Sequence, residues 1–237
     1  MKVTSTQLNT VENVGGAMRG SGHSAMFKNY FPTPVLNVEP SDTEALRLDT
    51  FTKRKLCEFD LVPMTPRNNT STLFSQGVSG FDITEIEDIL EHYTHLYIKN
   101  FLKQTINHDA TEIEGEFKSK CIIKHETGDN HFLHTHGTNI FCIGIYIHKL
   151  PENSGNTWLR NPDNAMIHAF PISEFVELDL VEGNIVIFPA WLAHMVSNNM
   201  SKDDRIVLHF GYDWNFGSID KDFHIYMNHF KNLANFK

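Results

Sequence analysis

The densest chemistry in the chain lies in Gly128-Asp129-Asn130-His131-Phe132-Leu133-His134-Thr135-His136-Gly137, which places three histidines within six residues. In an extended strand side chains alternate, so His134 and His136 share one face and Thr135 takes the other. Two imidazoles converging in this way can hold one divalent cation. The alternative is a pair of exposed histidines beside a turn. A third candidate ligand, His194, closes the segment Phe188-Pro189-Ala190-Trp191-Leu192-Ala193-His194, which follows the apolar run Ile185 to Phe188. Eleven residues further on, Arg205 opens a run in which Arg205, Val207 and His209 share one face and Ile206, Leu208 and Phe210 the other. An arginine at a strand start ordinarily faces solvent. Facing inward it needs an anion, because an unpaired buried charge is costly. A carboxylate ligand meets the guanidinium fork in bidentate geometry.

These residues must be positioned by a folded core, and the composition supplies one. The chain has 237 residues, 41% hydrophobic and 11% aromatic, enough for one large domain. Its formal net charge of −9 argues against a nucleic-acid partner held by the overall field. Three cysteines (Cys57, Cys121 and Cys142) without a CxxC pair read as reduced thiols in a cytoplasmic protein. The start MKVTSTQLNTVENVGG lacks the apolar stretch of a secretory signal, and no apolar run reaches the ~20 residues that span a bilayer.

The expected organisation is a flexible tail over residues 1 to about 25, then a single domain over 26–237. Ser41 and Glu44 form a capping-box pattern ahead of a short helix. A longer amphipathic helix is expected from Asp82 to about Ile106, with Asp82 and Glu85 as its capping box. The two give helical support over about 41–106. The polar stretch Pro63 to Gly80 between them reads as a long loop. From about 115 to 214 the pattern changes to short β-like runs. They cover Phe117 to Lys124, Ile140 to His148, Thr157 to Arg160, Met166 to Phe170, Val176 to Leu180, Asn184 to Phe188, and Arg205 to Tyr212. Many short strands at regular spacing suggest a β-sandwich or jelly roll. A last helix is expected over about 219–233.

In order and spacing these motifs resemble the Fe(II)- and 2-oxoglutarate-dependent dioxygenases, and among them the small family of 2-oxoglutarate oxygenases found in bacteria and phages. The matching residues are Gly128-Asp129, His134-Thr135-His136, Gly144-Ile145-Tyr146, Pro151, Gly155, Asn161-Pro162, Gly183, Phe188-Pro189-Ala190-Trp191-Leu192-Ala193-His194 and Arg205, with Phe31 to Val35 resembling an opening strand. The resemblance covers roughly residues 28 to 214. It implies a mainly β fold with flanking helices, a cupin-like double-stranded β-helix. It also implies that His134, His136 and His194 hold Fe(II), and that Arg205, helped by the Tyr146 hydroxyl, holds the far carboxylate of 2-oxoglutarate. O2 is then the oxidant, succinate and CO2 are released, and a small-molecule or protein substrate is hydroxylated.

The chain departs from the pattern at three places. Val207 stands where the family has a serine, Ile143 stands where a second serine is usual, and His136 stands where most of the superfamily has a carboxylate. Asp129, His131 and a water are the other candidates for that last position. Trp158, Arg160, Trp191, Tyr212 and Trp214 are candidates for a substrate pocket or for the core, while His168 and His209 read as structural. Two other classes of function compete: a three-histidine cupin-type iron dioxygenase that does not use 2-oxoglutarate, and a β-sandwich binding module without catalysis.

Overall fold

The computed structural model describes residues 25–30, 33–63, 76–107, 109–110, 112–136, 140–162 and 173–214. The tail before residue 25, most of the loop after Pro63, the run Met166 to Phe170, His168 and the helix expected over 219–233 lie outside these residues. The described chain begins with strands β1 (Ala25–Tyr30) and β2 (Thr33–Val38), followed by helix α1 (Asp42–Glu58). Strands β3 (Val62–Pro63) and β4 (Gln76–Ser79) precede helix α2 (Glu87–Ile106). Then come β5 (Gly115–His125), β6 (His131–His134), β7 (Cys142–Lys149), β8 (Thr157–Arg160) and β9 (Phe175–Glu177). The last three are β10 (Ile185–Pro189), β11 (His194–Val196) and β12 (Arg205–Trp214).

The strands form two sheets whose sequence order interleaves. The large sheet runs β1-β2-β10-β7-β12-β5-β4-β3 and the small one β6-β11-β8-β9. The chain crosses between the sheets at β5 to β6, β6 to β7, β7 to β8, β9 to β10, β10 to β11 and β11 to β12. That is a double-stranded β-helix, as the resemblance implies and in keeping with the jelly roll that the spacing of the short strands suggests. The strand pairings are antiparallel throughout.

Period-two alternation divides the core into two layers. Leu208 and Phe210 of β12 pack with the helices, whereas Val207 joins Ile143, Ile145 and Phe188 between the sheets. Gly144 of β7 stands opposite Phe210 in register, and a Cβ there would lie 2.0 Å from the Phe210 ring. The glycine makes room for a neighbouring strand's aromatic ring.

The helices buttress the outer face of the large sheet. Ser41 caps α1 as its spacing predicts: its hydroxyl accepts the Glu44 N–H, and the Glu44 carboxylate accepts the Ser41 N–H at 2.9 Å. The expected start of α2 needs correction. The Asp82 carboxylate accepts the N–H and hydroxyl of Thr84, at 3.0 and 2.7 Å, which makes a local turn rather than a helix cap. The helix begins at Glu87, where no side chain caps it. It packs on the sheet through buried Tyr93 and Tyr97, and the Tyr97 hydroxyl donates to the Pro34 carbonyl at 3.3 Å. The reading of Pro63 to Gly80 as loop is likewise overtaken at its ends, because β3 and β4 pair and extend the large sheet beyond β5. None of the helices among the described residues is long and apolar enough to cross a membrane.

Candidate metal centre

Strand β11 lies in the middle of the small sheet and sets the site. His194 pairs in register with His134 of β6 on one side and with Leu159 of β8 on the other. Beyond the end of β6, the His136 N–H donates to the Ala190 carbonyl at 3.0 Å, which tethers the second histidine to the turn before β11. The three rings therefore converge. The ring centroids of His134 and His194 are 4.3 Å apart, those of His136 and His194 are 5.2 Å apart and nearly parallel, and one ring nitrogen from each of the three lies within 4.8 Å of the others.

Hydrogen bonds to the main chain fix two of the tautomers. The His134 Nδ1–H donates to the Phe132 carbonyl at 2.7 Å and the His194 Nδ1–H to the Leu192 carbonyl at 2.9 Å. A carbonyl only accepts, so each of these rings carries its proton on Nδ1 and presents a bare Nε2. The His136 and His194 Nε2 atoms approach to 3.4 Å, a contact that is favourable only with a proton or a cation between them.

The triad opens onto a cavity of about 220 Å3 between the sheets. Six histidines line it (His125, His131, His134, His136, His194 and His209) together with Arg205, Thr157, Cys121 and an apolar wall that includes Ile143, Phe188 and Val207. Among the described residues no carboxylate does. Burial holds the imidazoles neutral: it lowers the pKa of His136, His131 and His209 to about 3 and that of His194 well below its ordinary value. Neutral nitrogens are what a divalent metal requires as ligands.

Arg205 is the complement. It is 1% exposed and faces inward, as the alternation on β12 allows. Its Nη2 donates to the Thr157 hydroxyl at 3.2 Å and its Nη1 to His125 Nδ1 at 3.4 Å, while its Nε has no partner. Burial lowers its pKa to about 10, which leaves it charged at neutral pH. Among the described residues no carboxylate pairs with it. A buried, unneutralised guanidinium in the same cavity as a triad of neutral imidazoles fits a small anion that also reaches a metal.

The remaining candidates are sorted by which face they occupy. Tyr146 needs correction. It sits in the layer between sheet and helices, while its neighbours Ile143 and Ile145 line the cavity, so its hydroxyl lies on the face away from the cavity that Arg205 lines. Tyr212 and Trp214 are buried in that same helix-side layer. Arg160 pairs with Glu174 at 3.0 Å, and Trp191 is 46% exposed. Trp158 is half-buried on the face of β8 opposite Thr157 and Leu159. Asp129 closes a turn by accepting the Glu126 N–H at 2.8 Å, and it is not part of the cluster that could hold a metal ion.

His131 and His209 also belong to the cavity. His131 turns inward because a bulge sets one residue of β11, Met195, against two of β6, Phe132 and Leu133, which breaks the alternation. His209, expected to be structural, stacks on His136 with centroids 5.0 Å apart and contacts the Cys121 thiol at 3.6 Å.

Residues 121–211 match a family model described as "Putative 2OG-Fe(II) oxygenase". No curated protein matches the sequence. Solved structures share the fold. The alpha-ketoglutarate-dependent epimerase SnoN of nogalamycin biosynthesis aligns with a TM-score of 0.54 at 13% identity, over 78% of this chain and 79% of its own. It is also known in complex with Fe3+, alpha ketoglutarate and nogalamycin RO. A Pseudomonas putida prolyl-4-hydroxylase aligns with a TM-score of 0.53 at 12% identity, over 76% and 92% of the two chains. A prolyl hydroxylase from Trichoplax adhaerens, in complex with a hypoxia inducible factor peptide fragment, aligns with a TM-score of 0.51 at 12% identity, over 76% and 83%.

Proposed function

We propose that this chain, whose residues 121–211 match the family model of a 2OG-Fe(II) oxygenase, is an Fe(II)- and 2-oxoglutarate-dependent dioxygenase that hydroxylates its substrate. The observation that carries the reading is the shared cavity: Arg205 is buried, charged and without a carboxylate partner, and it faces the same space as the convergent nitrogens of His134, His136 and His194. The donor set fits the group. Three neutral imidazoles form a ligand set with positions left open, as non-haem iron oxygenases require, although one imidazole stands in for the usual carboxylate.

When bound, Fe(II) and 2-oxoglutarate supply the oxidising chemistry, in which O2 is reduced as 2-oxoglutarate loses CO2 to give succinate. The chain's own residues bind, orient and dry the site. His134 and His194 present bare Nε2 atoms because their Nδ1 protons are held by carbonyls. Arg205 anchors the distal carboxylate and so sets the direction from which the 2-oxo acid reaches the triad. Ile143, Phe188 and Val207 line the space between and exclude water. His136 adds a ligand without charge, which leaves the metal's full double charge to be offset by the incoming dianion. The substrate is a small molecule or a protein side chain. The three free cysteines, two of them buried, support a cytoplasmic enzyme.

The test is anaerobic. Fe(II) and then 2-oxoglutarate are added to the full chain and the visible spectrum is recorded. A metal-to-ligand charge-transfer band is expected, absent in His194→Ala and weakened in Arg205→Ala. Iron binding without the band would favour the three-histidine dioxygenase that does not use 2-oxoglutarate. Failure to bind iron would leave the binding module.

A further inference from the structure

We propose that His209, held by Cys121, is the positioning residue for His136: its ring stacks on His136 and takes the place of the main-chain hydrogen bond that orients the other two ligands. The proposal rests on the metal-binding reading of the triad above and names what holds its third imidazole.

The three imidazoles are not held alike. His134 and His194 each donate from Nδ1 to a carbonyl, at 2.7 and 2.9 Å, and such a bond fixes both the tautomer and the direction of the ring. Among the described residues the His136 ring has no such anchor. Its one polar contact is the 3.4 Å approach of its Nε2 to that of His194, across the space a cation would fill. The His136 backbone N–H is tied to the Ala190 carbonyl, which fixes the chain but leaves the ring to turn about its own bonds. A ring that must aim one nitrogen at a cation, with no hydrogen bond behind it, needs a surface to lie against.

His209 supplies that surface. The two rings lie within 25° of parallel, with centroids 5.0 Å apart. His209 is in turn held from β5. It stands opposite Cys121 in the β12–β5 register, and its Nδ1 meets the Cys121 Sγ at 3.6 Å. Both residues are buried, and burial raises the pKa of the thiol to about 12, so the sulfur keeps its hydrogen and donates it to Nδ1. The His209 Nε2 has no hydrogen-bond partner, so the thiol is the ring's single polar support among the described residues. The line from Cys121 through His209 to His136 crosses from the large sheet to the segment after β6. His134 and His194 take their direction from carbonyls two residues away in their own segments, whereas His136 takes its direction from β5 and β12.

The experiment is a double-mutant cycle on the full chain, read by Zn(II) affinity in calorimetry. Zn(II) binds nitrogen sites more tightly than Mn(II) or Fe(II), which keeps the weakest variant measurable. His209→Leu removes the flat face and is expected to weaken Zn(II) by roughly tenfold or more, the scale of a lost support behind a metal ligand. His209→Phe keeps an aromatic face and should stay within about threefold of the parent. In a His136→Ala background His209→Leu should cost nothing further, because the ligand it positions is gone. Pulsed EPR of the Cu(II)-loaded chain adds a count that a merely structural role would not move: three coordinated imidazoles in the parent and one fewer in His209→Leu. Unchanged affinity in His209→Leu, equal weakening in both backgrounds, an undiminished imidazole count, or a His209→Phe as weak as His209→Leu would each overturn the proposal and leave the metal centre standing. A parent that binds no Zn(II), or whose affinity His136→Ala does not change, would overturn the triad reading and the proposal with it. Thermal melts check that each variant folds. If His209→Leu does not, Cys121→Ala decides by the same cycle, with a loss of about threefold or more expected in the parent and none in His136→Ala.

Discussion

His125 and His209 show what burial does to an imidazole. Desolvation lowers their pKa to about 2 and about 3, against about 6.5 in an unfolded chain. Below about pH 6.5 the unfolded state therefore binds protons that the folded state refuses. Stability is full above that pH and falls as pH drops toward 3, by roughly 1.4 kcal/mol per pH unit for each such group. The metal-free protein is expected to melt highest at or above pH 7 and to lose several degrees by pH 5.5 in thermal scans. A flat profile would show that the rings are solvated. At this scale the triad was legible, because HxH spacing and the end of an apolar strand are local signals. Tyr146 was not, because its motif says nothing of which strand face turns toward the cavity. His131 needed a bulge that no alternation rule supplies, and His125 became visible only through its register with Arg205.

Strands and helices were legible where their own sequence carries the pattern. The long runs at β5, β7 and β12 carry enough alternation to be read directly. Strands β3, β4, β6 and β11, of two to four residues, take their form from the partner they pair with. The α1 cap follows from Ser41 and Glu44, whereas the same residue pattern at Asp82 folds into a turn. Two substitutions test these elements. Ser41→Ala removes the cap and is expected to destabilise by about 1 kcal/mol in urea unfolding, with metal affinity unchanged. Gly144→Ala forces a Cβ into the Phe210 ring and is expected to cost about 1–3 kcal/mol or more, since a packed aromatic ring has little room to yield. A Gly144→Ala variant as stable as the parent would mean that the ring moves aside freely.

The whole molecule makes the site by bringing two sheets face to face. The histidine triad belongs to β6, β11 and the turn beside them, while Arg205 and His125 belong to the large sheet. A metal that binds only the folded arrangement stabilises all of it, by about 2.7 kcal/mol at a hundredfold excess over the dissociation constant. Saturating Mn(II) is expected to raise the melting temperature of the parent by several degrees, EDTA to reverse the rise, and His194→Ala to show neither effect. The carbonyls that accept from His134 and His194 bear on the protein's history. An acceptor on the main chain is not encoded by any side chain, so no change of residue at Phe132 or Leu192 deletes it while the backbone path is kept. Lineages can therefore drift at these neighbours without loosening the ligands, and the inherited constraint falls on the histidines themselves.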